Sequence, residues 1–157
     1  MQSLSDLGAL VGRILLAAIF VFSGLGKIIQ MGVMVGATTT HFVQAGIPTS
    51  LVLPALYLSI AVELGCGLLV IVGLQARWAA LIIFLWLIPV TLIFHVADYN
   101  QAVQQHQVMS AVTQQVMYLK NISMMGGLLL LAALGPGGWS VDGRTAESAM
   151  SPTRRAA

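Results

Sequence analysis

The stretch Ser59–Gly73 reads SIAVELGCGLLVIVG. It is apolar along its length except for one carboxylate, Glu63, near its middle, and no basic residue stands within a helical turn of it. Whether that carboxylate belongs in water or in lipid decides the fold, and composition answers the question. The chain has 157 residues, of which 58% are hydrophobic and 8% charged. A soluble domain carries about a quarter charged residues, so this chain cannot clothe a soluble surface and its first partner is the lipid bilayer. The net charge of +2 is small. The arginines lie at segment ends and in the tail without interleaved aromatics, a pattern that excludes nucleic acid as a partner.

Working outward from Glu63, four apolar runs reach the roughly 20 residues needed to span a bilayer. They are Leu10–Ile29, Leu51–Leu74, Trp78–Ala97 and Val116–Leu134. The expectation is an all-α integral membrane four-helix bundle over residues 1–136, with a flexible tail over 137–157. The first run has Arg13, an apolar stretch and the small pair Ser23-Gly24, as a signal peptide does. It lacks an A-x-A cleavage site, so it is expected to remain as a span. Neither long connection, Met31–Ser50 or Asp98–Gln115, contains a Lys or Arg, whereas the short turn holds Arg77 and the tail holds Arg144, Arg154 and Arg155. The positive-inside rule then puts both termini in the cytoplasm and both long connections outside, in a multi-pass protein of the bacterial inner membrane.

In the first connection, Thr38–Thr40 can cap a helix and Gly46 with Pro48 can end it, so a short interfacial helix is predicted over about 38–46. The second connection is rich in glutamine and reads as a solvated loop with a helical entry to the fourth span. His41 and His106, one in each connection, read as solvated. Three scattered histidines form no metal spacing. There is no haem or flavin motif, no CxxCH and no GxGxxG. The single cysteine, Cys66, rules out an internal disulfide and with it the membrane thiol oxidases that work through cysteine pairs. It reads as a small packing residue.

The polar residues inside the spans are the candidate site. A mid-depth carboxylate costs several kcal/mol unless it is paired or neutral, so the partners of Glu63 are expected on other helices. Ser59, Glu63 and Gly67 share a stripe at helical spacing, and the small neighbours let a helix approach. Arg13 and Lys27 are two heptads apart and return to nearly one face, with Ser23 a turn from Lys27. On the third run Thr91, His95 and Asp98 share a stripe, so Asp98 is expected to orient the His95 ring, and Pro89 predicts a kink below it. On the fourth run Lys120, Met124 and Gly127 align, beside Asn121. Glu63 and His95 are the expected catalytic groups, and Lys27, Ser23, Lys120 and Asn121 the expected ligand-binding ones. Arg13 and Asp142 are expected to pair as a structural charge pair at the inner boundary. Lys120 and Glu63 differ in depth by on the order of 10 Å at 1.5 Å per residue. A descending chain of polar groups or water through Ser23, Ser59 and Thr91 is therefore expected rather than one buried salt bridge.

Five segments in order, GRILLAAIFVFSGLGKI (Gly12–Ile28), AGIP (Ala45–Pro48), VELGCGLLVIVGLQARWAA (Val62–Ala80), FH (Phe94–His95) and KNISMMGGLLLLAALGPGGWSVD (Lys120–Asp142), resemble the DoxX family of small membrane proteins. The sequence departs from the family at Gly138, where a basic residue is common, and in its longer polar connection before the fourth span. The resemblance implies a four-helix bundle and redox work, since members resemble quinone-reducing membrane subunits of thiosulfate oxidation and others are linked to oxidative-stress complexes. Three functions stay open. One is a quinone-linked oxidoreductase subunit, with a quinone as the cofactor and a membrane or periplasmic redox protein as the partner. The second is a non-enzymatic accessory subunit. The third is a small-solute or proton carrier with Glu63 as the titrating group, for which an oligomer is the better vehicle.

Overall fold

The computed structural model describes residues 2–150. Four helices have spanning length and apolarity: α1 over Ser3–Ile29, α3 over Thr49–Val72, α4 over Ala76–Gln104 and α5 over Val108–Leu134. Between the first two lies α2, Met31–Gln44, and α6, Val141–Met150, follows the bundle. The architecture is an all-α membrane bundle, antiparallel from helix to helix. Its base carries both ends of the described chain, and its far end carries α2 and the α4–α5 hairpin. The core is a column of small and branched side chains, with Ala17, Val70, Ala80, Ile83 and Leu128 fully buried. The lipid-facing surface keeps large apolar residues such as Leu15, Phe22, Leu85 and Leu130 exposed, as expected where the solvent is hydrocarbon.

Three connections differ from the sequence expectation. The interfacial helix is longer than 38–46 because the threonines do not cap it. Thr39 and Thr40 donate instead to the carbonyls of Val35 and Gly36, at 2.7 and 3.2 Å, which satisfies their hydroxyls inside a helix. It ends at Gln44, and Gly46 with φ of 69° turns the chain just beyond it. The glutamine-rich segment is not a loop. Both flanking helices run through it to a tight turn at His106, whose φ is 56°, and Tyr99 meets Tyr118 edge-on at 5.5 Å between them. The part of the 137–157 tail that is described folds back on the base, while residues 151–157 lie outside the described residues.

The base is closed by side chains that answer backbone groups at helix ends. Arg13, 2% exposed, donates to the carbonyls of Trp139 at 2.6 Å and Ile71 at 3.3 Å. Arg77 donates to the carbonyls of Ala132, Ala133 and Leu134, which have no acceptor duty left within α5. The expected Arg13–Asp142 pair is not made. Asp142 instead accepts from the amides of Gln75 and Ala76 at 2.9 and 3.0 Å, because the start of α4 offers unbonded N–H groups and positive dipole at that level. Gly73 has φ of 71° and a side chain there would collide with the Arg13 guanidinium. Gly138 donates its N–H to Asp6 at 2.7 Å and has no room for a side chain beside that carboxylate, which accounts for glycine at this departure from the family pattern.

Two outcomes test the fold. Asp142→Ala should lower stability by about 1 kcal/mol, the usual worth of a helix N-terminal cap, as read by thermal unfolding in detergent. In a Cys66→Ala background, cysteines placed at Gln104 and Thr145 should label from opposite faces of the membrane. Labelling from one face would overturn the four-span arrangement.

Candidate functional site

Glu63 is not left to a chain of water. Its carboxylate takes Lys27 Nζ directly, at 2.8 Å to Oε1 and 2.6 Å to Oε2. Ser59 Oγ donates to Oε1 at 3.1 Å, and Lys27 also donates to Ser23 Oγ at 2.8 Å. The side chains are 8% and 19% exposed. The expected polar descent fails for a geometric reason. Lys27 lies fourteen residues beyond Arg13 and Glu63 eight before Ile71, so their Cα levels above the base are about 21 and 12 Å. In antiparallel helices each side chain leans toward its own N-terminus. Lys27 therefore leans toward the base and Glu63 leans away from it, and the two close the gap. Close approach of α1 and α3 requires small residues. A side chain at Gly24 would meet Leu64 at 2.7 Å, and one at Gly67 would meet Val21 at 3.2 Å.

Glu63 sits in a π-helical turn, Ala61–Cys66. A second π turn, Thr91–Val96, follows Pro89 and carries His95. Such turns insert a residue and re-aim the side chains after it, and they concentrate at functional sites. Here the effect is specific. Trp86 and His95 are nine residues apart, which on an ideal helix at about 100° per residue puts them on opposite faces. The wider turn swings His95 back, and both line one cavity.

That cavity has a volume of about 480 Å³ and lies between α1, α2, α3, α4 and α5. Its walls are apolar, with Phe20, Leu56, Ile93 and Met124 among them, and all the expected site residues Ser23, Lys27, Glu63, His95, Lys120 and Asn121 line it. Asn121 is held away from a ligand role on its amide side, because Nδ2 donates to Thr91 Oγ1 at 3.0 Å and Thr91 in turn donates to Leu87 O at 2.6 Å. Lys120 has a single hydrogen-bond partner among the described residues, the Met117 thioether at 3.4 Å.

His95 is oriented, but not by Asp98 directly. Its Nδ1 bonds Gln114 Oε1 at 2.9 Å, and Gln114 Nε2 donates to Asp98 Oδ2 at 3.2 Å. The carboxylate can only accept, so it fixes the amide, and the amide oxygen then requires Nδ1 to carry hydrogen. Nε2 of a neutral His95 is therefore the lone-pair nitrogen. The other oxygen of Asp98 meets His41 Nε2 at 2.9 Å, while His41 Nδ1 donates to Ala37 O at 2.8 Å and the ring lies 4.5 Å from that of Phe94. His41, expected in solvent, thus ties α2 to α4. With Nδ1 donating to a carbonyl, its contact with Asp98 is a hydrogen bond only when a proton lies between them. His106 remains in the exposed turn.

Sequence reading missed Gln114, His41 and Trp86. Trp86 Nε1 is buried with no hydrogen-bond partner among the described residues. The signal for it was position: tryptophans of membrane helices gather at the interfaces, and Trp86 stands ten residues, about 15 Å, from the start of α4.

A four-span bundle with an ion pair between its first two spans and a mostly apolar cavity beside it defines a small integral membrane protein with a ligand-sized chamber. The DoxX family model matches residues 8–96, and the chain belongs to that family. It is also similar to Inner membrane protein YqjF of Escherichia coli (strain K12), with 34% identity over 143 residues that cover 90% of this chain and 95% of the relative. No solved structure matches the chain.

Glu63→Gln should unfold the bundle more readily than wild type, by roughly 3–5 kcal/mol, because it strands the Lys27 ammonium without a counter-charge. Lys27→Met combined with Glu63→Leu should recover a large part of that loss. Thermal or denaturant unfolding of the two variants in one detergent measures both. Equal stability of Glu63→Gln and wild type would refute the pair.

Proposed function

We propose that this protein is an inner-membrane, quinone-linked oxidoreductase subunit and that its cavity receives the quinone headgroup. The inner-membrane assignment follows the similarity to Inner membrane protein YqjF. One observation carries the reading: the cavity is apolar on most of its wall and is also lined by Ser23, Lys27, Glu63, His95 and Lys120. A cavity of this size lies within the range of small-molecule sites. A bound quinone supplies a two-electron, two-proton acceptor.

The chain's own residues bind and orient. Lys120, bonded within the described residues only to a thioether, donates to a ring oxygen. The Asp98–Gln114 pair holds His95 with the Nε2 lone pair free to accept a hydrogen bond or a proton. α2 walls the cavity from the far side through Thr38 and Phe42. The carrier reading finds less support, because Glu63 is already bonded by Lys27 and Ser59.

Protein purified in mild detergent should carry quinone detectable by mass spectrometry. Ala55→Phe, which fills the cavity from α3, should reduce the bound quinone by about tenfold with helix content unchanged by circular dichroism. Absence of quinone from the wild-type protein, together with no binding of added short-chain quinone, would remove the proposal.

A further inference from the structure

Two polar groups on the α4–α5 wall of the cavity have their orientation settled by neighbours that can bond in one sense only. Thr91 gives its hydroxyl hydrogen to Leu87 O at 2.6 Å, so toward Asn121 its oxygen can only accept. Asn121 therefore turns its amide hydrogens to Thr91, at 3.0 Å, and its Oδ1 is left over. Asp98 Oδ2 likewise only accepts, and it takes the amide hydrogens of Gln114 at 3.2 Å. Gln114 Oε1 then takes the Nδ1 hydrogen of His95 at 2.9 Å, and the His95 Nε2 lone pair is left over.

Neither leftover atom has a hydrogen-bond partner among the described residues. The unpartnered side-chain nitrogens and oxygens that are sealed off within the described residues are Arg13 Nε and Trp86 Nε1. Asn121 Oδ1 and His95 Nε2 are not among them and so remain open. Both residues line the cavity, and Asn121 is only 3% exposed, so the cavity is where its oxygen opens. The two acceptors also belong to one stretch of the wall. Asn121 is tied to Thr91, and His95 follows Thr91 by four residues, about 6 Å along the helix, within the same π turn.

The other polar groups of the cavity do not tell a carbonyl from a hydroxyl. Lys27 and Ser59 are spent on Glu63 and Ser23. Thr38 carries a hydroxyl, which gives or takes, and the Lys120 ammonium donates to either kind of ring oxygen. The two open acceptors do discriminate. A carbonyl oxygen placed against an acceptor makes no bond and leaves it desolvated and unpaired, whereas an O–H satisfies it.

We propose that the cavity binds the reduced, dihydroxy form of its ring ligand in preference to the quinone, with His95 Nε2 and Asn121 Oδ1 accepting the two O–H groups. The preference rests on the quinone reading and names the redox form that the site holds. Gln114 and Thr91 are positioning residues, since they fix which atom of His95 and of Asn121 faces the ligand.

The test is anaerobic equilibrium dialysis of the full chain in detergent with three probes that share one decyl chain: a para-benzoquinone, its hydroquinone, and the dimethyl ether of that hydroquinone, which keeps the aromatic ring and has no O–H. The hydroquinone should bind about tenfold more tightly than either of the others. His95→Phe and Asn121→Leu should each reduce that preference, and the double variant should erase it. Gln114→Met leaves the His95 ring in place and frees its tautomer. It should therefore strengthen quinone binding relative to hydroquinone, a shift that loss of a merely structural contact would not produce. Circular dichroism melts check the fold of each variant, and the wild-type ranking of the three probes decides the donor class whatever the variants do. Equal binding of quinone and hydroquinone, or a dimethyl ether that matches the hydroquinone, overturns the proposal and leaves the quinone reading standing. A preference that survives in a folded double variant overturns the assignment to His95 and Asn121. Failure of all three probes to bind overturns the quinone reading itself.

Discussion

A carboxylate in hydrocarbon must be neutral or paired, and Glu63 is paired with Lys27 at 2.6 Å. Much of the bundle is arranged around that requirement. The pair fixes how far α1 slides along α3. It requires α1 and α3 to touch closely, hence Gly24 and Gly67 at the crossing, where a side chain would meet Leu64 or Val21. It is reinforced by Ser23 and Ser59, each one turn from its partner. An ion pair buried this way is weak evidence for net stability, because desolvation offsets its attraction. Its effect here is register: a slip of one turn would leave two opposite charges apart in lipid.

The second pair of long helices is tied by different chemistry. α4 and α5 are joined by side-chain hydrogen bonds, Asn121 to Thr91 in the middle and Gln114 to His95 and Asp98 farther out. The cavity lies between these two ties. A wall whose charges are paired with each other faces one that carries the Lys120 ammonium. α2 is held over it by the contact of His41 with Asp98. The two π turns sit where the two ties need side chains re-aimed, at Glu63 and at His95. Each trades some helical hydrogen-bond regularity for the direction of one side chain.

The base obeys the same logic with different groups. Helix ends in a membrane protein carry amides and carbonyls that need partners. Arg13, Arg77 and Asp142 supply them, acting more as caps than as charge pairs. This is why the expected Arg13–Asp142 bond is absent although both residues stand near Gly73. The carbonyls and amides there compete for them, and the close approach is open only because residue 73 lacks a side chain.

Composition and run length determined that the chain is a four-span helical protein, since 8% charged residues cannot solvate a soluble surface and each apolar run is long enough for a bilayer. The family was legible in the order of its loose motifs, and most of the polar site was legible as residues out of place in lipid. The partners were not. Sequence depth, counted between Lys120 and Glu63, argued for a polar chain over a direct ion pair, because residue counting measures Cα levels and omits the opposed lean of side chains on antiparallel helices that lets Lys27 reach Glu63. It gave Asp98 to His95, because an ideal helix places them on one stripe, whereas the π turn breaks that stripe and Gln114 fills the gap. Trp86 looked like one more apolar residue. Only the packing of five helices buried its N–H without a partner among the described residues. Which polar groups are spent on each other and which are left for a ligand depends on contacts between segments far apart in the chain, and those are decided by tertiary structure.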